Sequence, residues 1–396
     1  MVYEATVSAP VNIAVIKYWG KRNTKLILPT NSSLSVTLSQ NHLASTTTSQ
    51  ADASFDGADR LWLNGKEEEV KEGGRLWVCI KELRGFRAEL EAQDSSLPKL
   101  STFPLRIASR NNFPTAAGLA SSASGLAALV ASLSTLYALP QSPSELSRIA
   151  RQGSGSACRS LFGGFVAWRE GTAADGSDSL AEEVAPQSHW PEMQALICVV
   201  SDKKKGTSST SGMQRTVETS PLLQERLRIV PGRMEAIEKA IQERDFSTFA
   251  KITMIDSNQF HAVCLDTCPP IFYLNDVSRS IIALVEELNR AAGEPIAAYT
   301  FDAGPNAVIY ALEKNMPKII KAVQQFFPTE EDFNDRLAVS AKVSEAALPE
   351  GFQEVIPKWE KGAVKSLIHT NVGDGPRKLD SAKGLLKEDG TPKELA

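Results

Sequence analysis

Between residues 111 and 125 the chain reads NNFPTAAGLASSASG, and an apolar run with few breakers, 126–139, follows directly. Gly118 and the small side chains of Ala116, Ala117, Ala120, Ser121 and Ser122 let backbone come close to a ligand, and Gly125 adds freedom one turn later. A helix over 126–139 would aim the unpaired N–H groups of its first turn, with the positive end of its dipole, at that loop. Such a pairing binds anions. The loop holds no lysine, which separates it from the GxxxxGK[ST] pattern in which a lysine reaches the terminal phosphates. On composition alone a Gly/Ala/Ser linker or a close-packed helix start remains an equal reading.

A chain of 396 residues exceeds what one hydrophobic core usually supports, so two lobes with a site between them are expected. The formal charge of −4, with acids and bases interspersed, gives no electrostatic reason to expect nucleic acid. An anionic substrate therefore needs a local basic pocket. Five cysteines at scattered positions read as thiols of a reducing compartment rather than a disulfide framework. The start, MVYEATVSAP, lacks the basic-then-apolar pattern of a signal peptide. The run 126–139 is too short to span a bilayer. A cytoplasmic protein without membrane partners is the expectation.

Alternation predicts strands at 3–7, 11–16, 34–38 and 105–107, and a short pair near 61–70 around Asn64-Gly65. Helices are predicted at 73–92, 126–139 and 144–151, the last opening on a Ser-Pro-Ser-Glu start signal. The segment 171–187, rich in Gly, Ala, Asp and Ser, reads as a linker and lobe boundary. Beyond it come a buried strand at 193–201, helices at 222–244, 246–258 and 277–291, and strands at 296–302 and 307–310 around a Gly-Pro turn. Strand–helix mixtures without regular βαβ alternation argue for α+β. The polar stretch 374–396 reads as a loose tail.

Several side chains stand where chemistry could use them. Asp302 follows an apolar strand beside Ala-Gly-Pro-Asn, as a capping residue of the turn or as a carboxylate presented to a site. Lys17 ends a strand, solvated or functional. Arg159, in Ser-Gly-Ser-Ala-Cys-Arg, can fork onto a carboxylate or sit in a surface ion pair behind a helix cap. The lysines at 203–205 can be a solvated run or a clamp on phosphates. His261, Cys264 and Cys268 lack a further ligand pair at zinc spacing, and buried core cysteines are the reading preferred.

Five segments in one order resemble known families. PTAAGLASSASG is similar to the nucleotide loop of the small-molecule kinase superfamily that includes galactokinase, homoserine kinase and mevalonate kinase. APVNIAVIKYWGKR at 9–22, LPTNSSLSVTL at 28–38, GSGSACRSLFGGFVAW at 153–168 and YTFDAGPNAV at 299–308 resemble the diphosphomevalonate decarboxylase family in its fungal form. The resemblance implies the two-lobed superfamily fold. A ribosomal-protein-S5-domain-2-like lobe would span 1–190 and a ferredoxin-like lobe 191–396, with the active site in the cleft between them. It implies ATP-dependent decarboxylation of (R)-5-diphosphomevalonate to isopentenyl diphosphate, CO₂, ADP and phosphate, in the mevalonate route to isoprenoids and sterols, with ATP and Mg²⁺.

Residue by residue, it implies that Asp302 faces the substrate's 3-hydroxyl and that Lys17 stabilises the carboxylate and the developing alkoxide. Arg159 would hold the carboxylate that leaves. Ser154 and Ser156 would contact substrate oxygens, Tyr18 and Lys21 would hold the diphosphate, and Met213 would lie beside it. Asn112, Pro114, Ala117, Gly118, Ser121 and Ser122 would form the ATP-phosphate site, with Ser121 as a Mg²⁺ ligand. Some bacterial members carry a basic residue at the position of Thr210, so one phosphate contact is in question here. The resemblance also points to a homodimer. Two other readings stay open: a kinase that stops at the phosphorylated alcohol, and a non-catalytic binding relative on the same fold.

Overall fold

Among the described residues the first half of the chain runs through eight short strands before three helices and three further strands interleave. In the computed structural model, which describes residues 1–113, 121–200 and 206–393, the strands are β1 (Tyr3–Pro10), β2 (Asn12–Ile16), β3 (Lys21–Asn23), β4 (Leu28–Pro29), β5 (Ser33–Thr37), β6 (Ala44–Ala51), β7 (Arg60–Leu63) and β8 (Lys66–Glu68). Then come α1 (Arg75–Gln93), β9 (Leu105–Asn111), α2 (Ser121–Leu136), α3 (Pro143–Gly153), a 3-10 turn over Gly155–Leu161, β10 (Phe165–Trp168) and β11 (Ala181–Ala185). The β7–β8 hairpin turns on Asn64 and Gly65, both at positive φ, as its sequence predicts. At the predicted start of α3 the Ser142 hydroxyl accepts from the Glu145 N–H while Glu145 accepts from the Ser142 N–H, a complete capping box.

Two expectations are corrected here, and one strand was not foreseen. Gly125 lies inside α2, which is helical from Ser121, because Ala123, Ala127 and Ala128 bury one face and a single glycine does not break it. The expected linker contains β11, an edge strand on β10 that buries Ala181 and Ala185. β6, reading ASTTTSQA, has no apolar alternation to reveal it, yet it is central to a sheet.

The second half contains β12 (Met193–Val199), α4 (Ser209–Thr219), α5 (Pro221–Glu243), α6 (Phe246–Asp266), α7 (Asp276–Ala292), β13 (Ala298–Phe301), β14 (Ala307–Leu312), α8 (Met316–Phe326), α9 (Ser340–Glu345), β15 (Ser366–Asn371) and β16 (Arg377–Leu379). β12 to β15 make an antiparallel sheet in the order β13-β14-β12-β15, the strand order of a ferredoxin-like unit. β16 overturns the loose-tail expectation, since it pairs with β1 across Thr6 to Ser8 and completes the six-stranded sheet β16-β1-β6-β9-β7-β8. The free edge of β1 offered backbone partners that a polar sequence can use as well as an apolar one.

A second N-terminal sheet, β11-β10-β5-β2, turns Val15, Leu34 and Phe165 into one cluster with Phe249, Ile281 and Ile309 of the C-terminal half. A separate cluster unites α1, α2 and α3 with the six-stranded sheet. The fold is α+β, and the shared core sets the end of β2 against the end of β13. Among the described residues no helix is long and apolar enough to cross a membrane.

Candidate active site

Lys17 and Asp302 each follow a strand whose core packing leaves the next residue at the rim of a cavity of about 470 Å³. The Lys17 ammonium donates to Asp302 Oδ1 at 2.6 Å and to the Ala14 carbonyl at 2.7 Å. Lys17 is 2 % exposed, which excludes the solvated reading, whereas the Asp302 side chain is 32 % exposed and opens on the cavity. Burial pulls the Lys17 ammonium below its ordinary pKa; Asp302 and Asp256 oppose the shift and Arg159 adds to it.

Arg159 is buried, which excludes the surface ion pair. Its guanidinium donates from Nη1 to Ser33 Oγ at 2.6 Å and from Nε to Ser35 Oγ at 3.0 Å, and Asn12 Oδ1 lies at 3.3 Å. Among the described residues no carboxylate pairs with it. Burial lowers its pKa, so the charge is held at a cost that an anionic ligand would offset.

Ser154 ends α3, and its hydroxyl lies 3.4 Å from that of Ser122 on α2, so the two serine groups expected for different ligands adjoin. Ser121 and Ser156 line the same cavity. The Tyr18 ring stands edge-on to Trp168 at 4.7 Å, and its hydroxyl is buried with no partner among the described residues. Gly155 makes room for it: a Cβ there would fall 2.6 Å from the Tyr18 ring. Burial, then the charge of Arg75, brings Lys21 down to about 8.

Ser208 caps α4, and residues 209–213 are its first turns because Gly212 lets the helix close on Trp19 and Tyr273. Met213 is buried against Trp19 and Phe260 at the cavity wall.

Asn112 does not line the cavity; its Oδ1 accepts the Ala44 N–H at 2.8 Å. Pro114, Ala117, Gly118 and Lys203 to Lys205 lie outside the described residues. Cys264 is buried as expected, but Cys268 is exposed.

Sequence reading missed Asn12 and Arg75. Asn12 was visible as an amide in the apolar run VNIAVI; it donates to Ser160 Oγ at 2.7 Å and to the Ser156 carbonyl at 3.1 Å. Arg75 opens α1, where a cation opposes the helix dipole, and that mismatch was the available signal. Its guanidinium donates to Thr210 Oγ1 at 3.3 Å, which brings a positive charge to the place where Thr210 has none. Lys17, Lys21, Arg75 and Arg159 thus face one cavity with Asp302, the local basic pocket that an acidic chain needs to hold a polyanion.

Comparison with known proteins identifies the family to which such a chain is similar. A model described as diphosphomevalonate decarboxylase-like N-terminal domain matches residues 9–181, and one described as mevalonate 5-diphosphate decarboxylase C-terminal domain matches residues 195–379. A diphosphomevalonate decarboxylase of Ganoderma lucidum is 65 % identical over 99 % of this chain and 100 % of its own. A crystal structure of mevalonate 5-diphosphate decarboxylase is 50 % identical, with a TM-score of 0.87 over 98 % of this chain and 99 % of that one. A structure of MDDEF in complex with MVAPP, AMPPCP and magnesium is 33 % identical, with a TM-score of 0.73 over 96 % of this chain and 100 % of that one. With full-length identity of this order and family models matching both parts of the chain, the chain belongs to the diphosphomevalonate decarboxylase family.

Proposed function

We propose that this chain phosphorylates the 3-hydroxyl of (R)-5-diphosphomevalonate with ATP and then expels that phosphate together with CO₂, leaving isopentenyl diphosphate. The observation that carries the reading is the pairing, in one cavity, of a carboxylate on a buried lysine with a buried guanidinium that no protein carboxylate neutralises among the described residues.

Asp302 orients the 3-hydroxyl and accepts its proton as the oxygen attacks the γ-phosphorus, and the Lys17 ammonium holds the carboxylate in place. The C3–O bond then breaks with its electron pair going to phosphate. The electrons of the C–C bond to the carboxylate form the new double bond as CO₂ leaves. Arg159 supplies a planar fork for that carboxylate, and its bonds to Ser33 and Ser35 fix the direction of the fork. The unpartnered Tyr18 hydroxyl, Lys21 and Arg75 hold the diphosphate, with Ser154 and Ser156 on substrate oxygens and Met213 as the apolar wall beside them.

Ser121 and Ser122 at the start of α2 face the ATP phosphates. Their hydroxyls and the Asp302 carboxylate offer only oxygen donors, which suits a hard cation such as Mg²⁺. When bound with ATP, that ion neutralises charge on the triphosphate. On this reading lobes 1–190 and 191–396 meet at the cavity, and the enzyme works as a cytoplasmic homodimer.

The test is stoichiometry. Carboxyl-labelled mevalonate 5-diphosphate with ATP should release one CO₂ per ADP, and the 5-monophosphate should react much more slowly. ADP formation without CO₂ would make the chain a kinase instead.

A further inference from the structure

Lys17 lies one residue beyond β2, so the ladder does not hold its peptide groups. A buried ion pair does. The Lys17 N–H donates to Asp256 Oδ2 at 2.8 Å, and its carbonyl accepts from Arg226 Nη2 at 3.0 Å. Arg226 on α5 and Asp256 on α6 are both fully buried and paired twice, Nη1 to Oδ1 at 2.9 Å and Nη2 to Oδ2 at 3.0 Å. Arg233 adds a contact to Asp256 Oδ1 at 3.0 Å, and Gln259 Oε1 accepts from both arginines. We propose that the Asp256–Arg226 pair, backed by Arg233, is a positioning device that clamps the Lys17 backbone and so sets where the Lys17 ammonium meets Asp302.

A buried ion pair contributes little stability over well-packed apolar residues, because desolvation offsets most of the attraction, so stability alone does not call for one here. Lysine, moreover, is a long flexible chain. With Nζ held by Ala14 and Asp302 at one end and the peptide held by Asp256 and Arg226 at the other, the side chain has little freedom left to lose at reaction. The groups facing Lys17 are Asp302 after β13, Asp256 and His261 on α6, Arg226 on α5 and Arg159 on the 3-10 turn. His261 is neutral, brought to about 3 by burial and then by the Lys17 charge. Asp256 is thus a second carboxylate that favours charged Lys17, and the Arg233 cation, paired with Asp256 Oδ1 at 3.0 Å, counters part of that negative charge.

The inference rests on Lys17 and Asp302 acting together as proposed above, and it is tested on the full chain with mevalonate 5-diphosphate and ATP. Asp256→Asn and Arg226→Lys should each lower kcat by on the order of a hundredfold while both KM values stay within about threefold. At saturating substrates the alkaline limb of kcat should move to lower pH in Asp256→Asn and to higher pH in Arg233→Met, because one removes and the other unmasks negative charge beside Lys17. A merely structural role lowers the melting temperature and moves neither limb. Near-wild-type kcat in folded Arg226→Lys, with the limb unmoved in Arg233→Met, overturns the proposal even if Asp256→Asn does not fold. Lys17→Met and Asp302→Asn run alongside: if they keep turnover, the reading of the site fails; if they lose it while the clamp variants do not, only the clamp fails.

Discussion

Arg159 shows how little of a side chain's role lies in its identity. Its sequence context allowed an exposed ion pair, but the fold buries it and gives it two serine hydroxyls in place of a carboxylate. Arg159→Lys keeps the charge and loses the fork, so CO₂ release and ADP formation should both fall by about a hundredfold, the scale of a misplaced reacting group. An unchanged CO₂ rate would remove Arg159 from the site. Lys21 gives a prediction in pH. With its pKa lowered to about 8 by burial and by Arg75, it is cationic below that value and loses its charge above it. The KM for the diphosphate substrate should therefore rise as pH increases beyond about 8, and Lys21→Arg, whose guanidinium stays charged, should flatten the rise. A pH profile identical in Lys21→Arg and wild type would contradict this.

Elements with an apolar period were legible, and those held by polar groups were not. The β7–β8 hairpin and the capped start of α3 were written in local chemistry, Asn-Gly in one and Ser-Pro-Ser-Glu in the other. β6 was not, because its inward face is hydroxyls: Ser45 meets Ser124 at 2.7 Å, and Ser49 meets Ser132 at 2.8 Å, both on α2. The seam predicts an asymmetry. Ser132 Oγ also donates to the Leu129 carbonyl, whereas Ser132 is the hydrogen-bond partner of Ser49 Oγ among the described residues. Ser132→Ala should then cost about 1–3 kcal/mol in urea unfolding, the penalty of a buried hydroxyl left unpaired, and Ser49→Ala less. Adding Ser49→Ala to Ser132→Ala should recover part of the loss. Equal single costs that simply add would show that the seam is not paired in this way.

At the scale of the whole molecule, the motifs named residues that line the cavity, Lys17, Arg159 and Asp302 among them, but not their arrangement. Lys17 and Asp302 are 285 residues apart, and only the core shared between the β2 sheet and the C-terminal half brings them to 2.6 Å. Asn12, Arg75 and the return of β16 to β1 were not read for the same reason, since each acts through a partner distant in sequence. Asp302, Arg159 and the α2 serines line a single cavity, to which the proposed reaction assigns both the phosphorylation of a tertiary hydroxyl and the departure of that oxygen as phosphate. Labelling the 3-hydroxyl of mevalonate 5-diphosphate with ¹⁸O and analysing the inorganic phosphate after turnover with ATP tests this directly. Phosphorylation before elimination puts one ¹⁸O in each phosphate released; phosphate free of label, with CO₂ still formed, is incompatible with that order of steps.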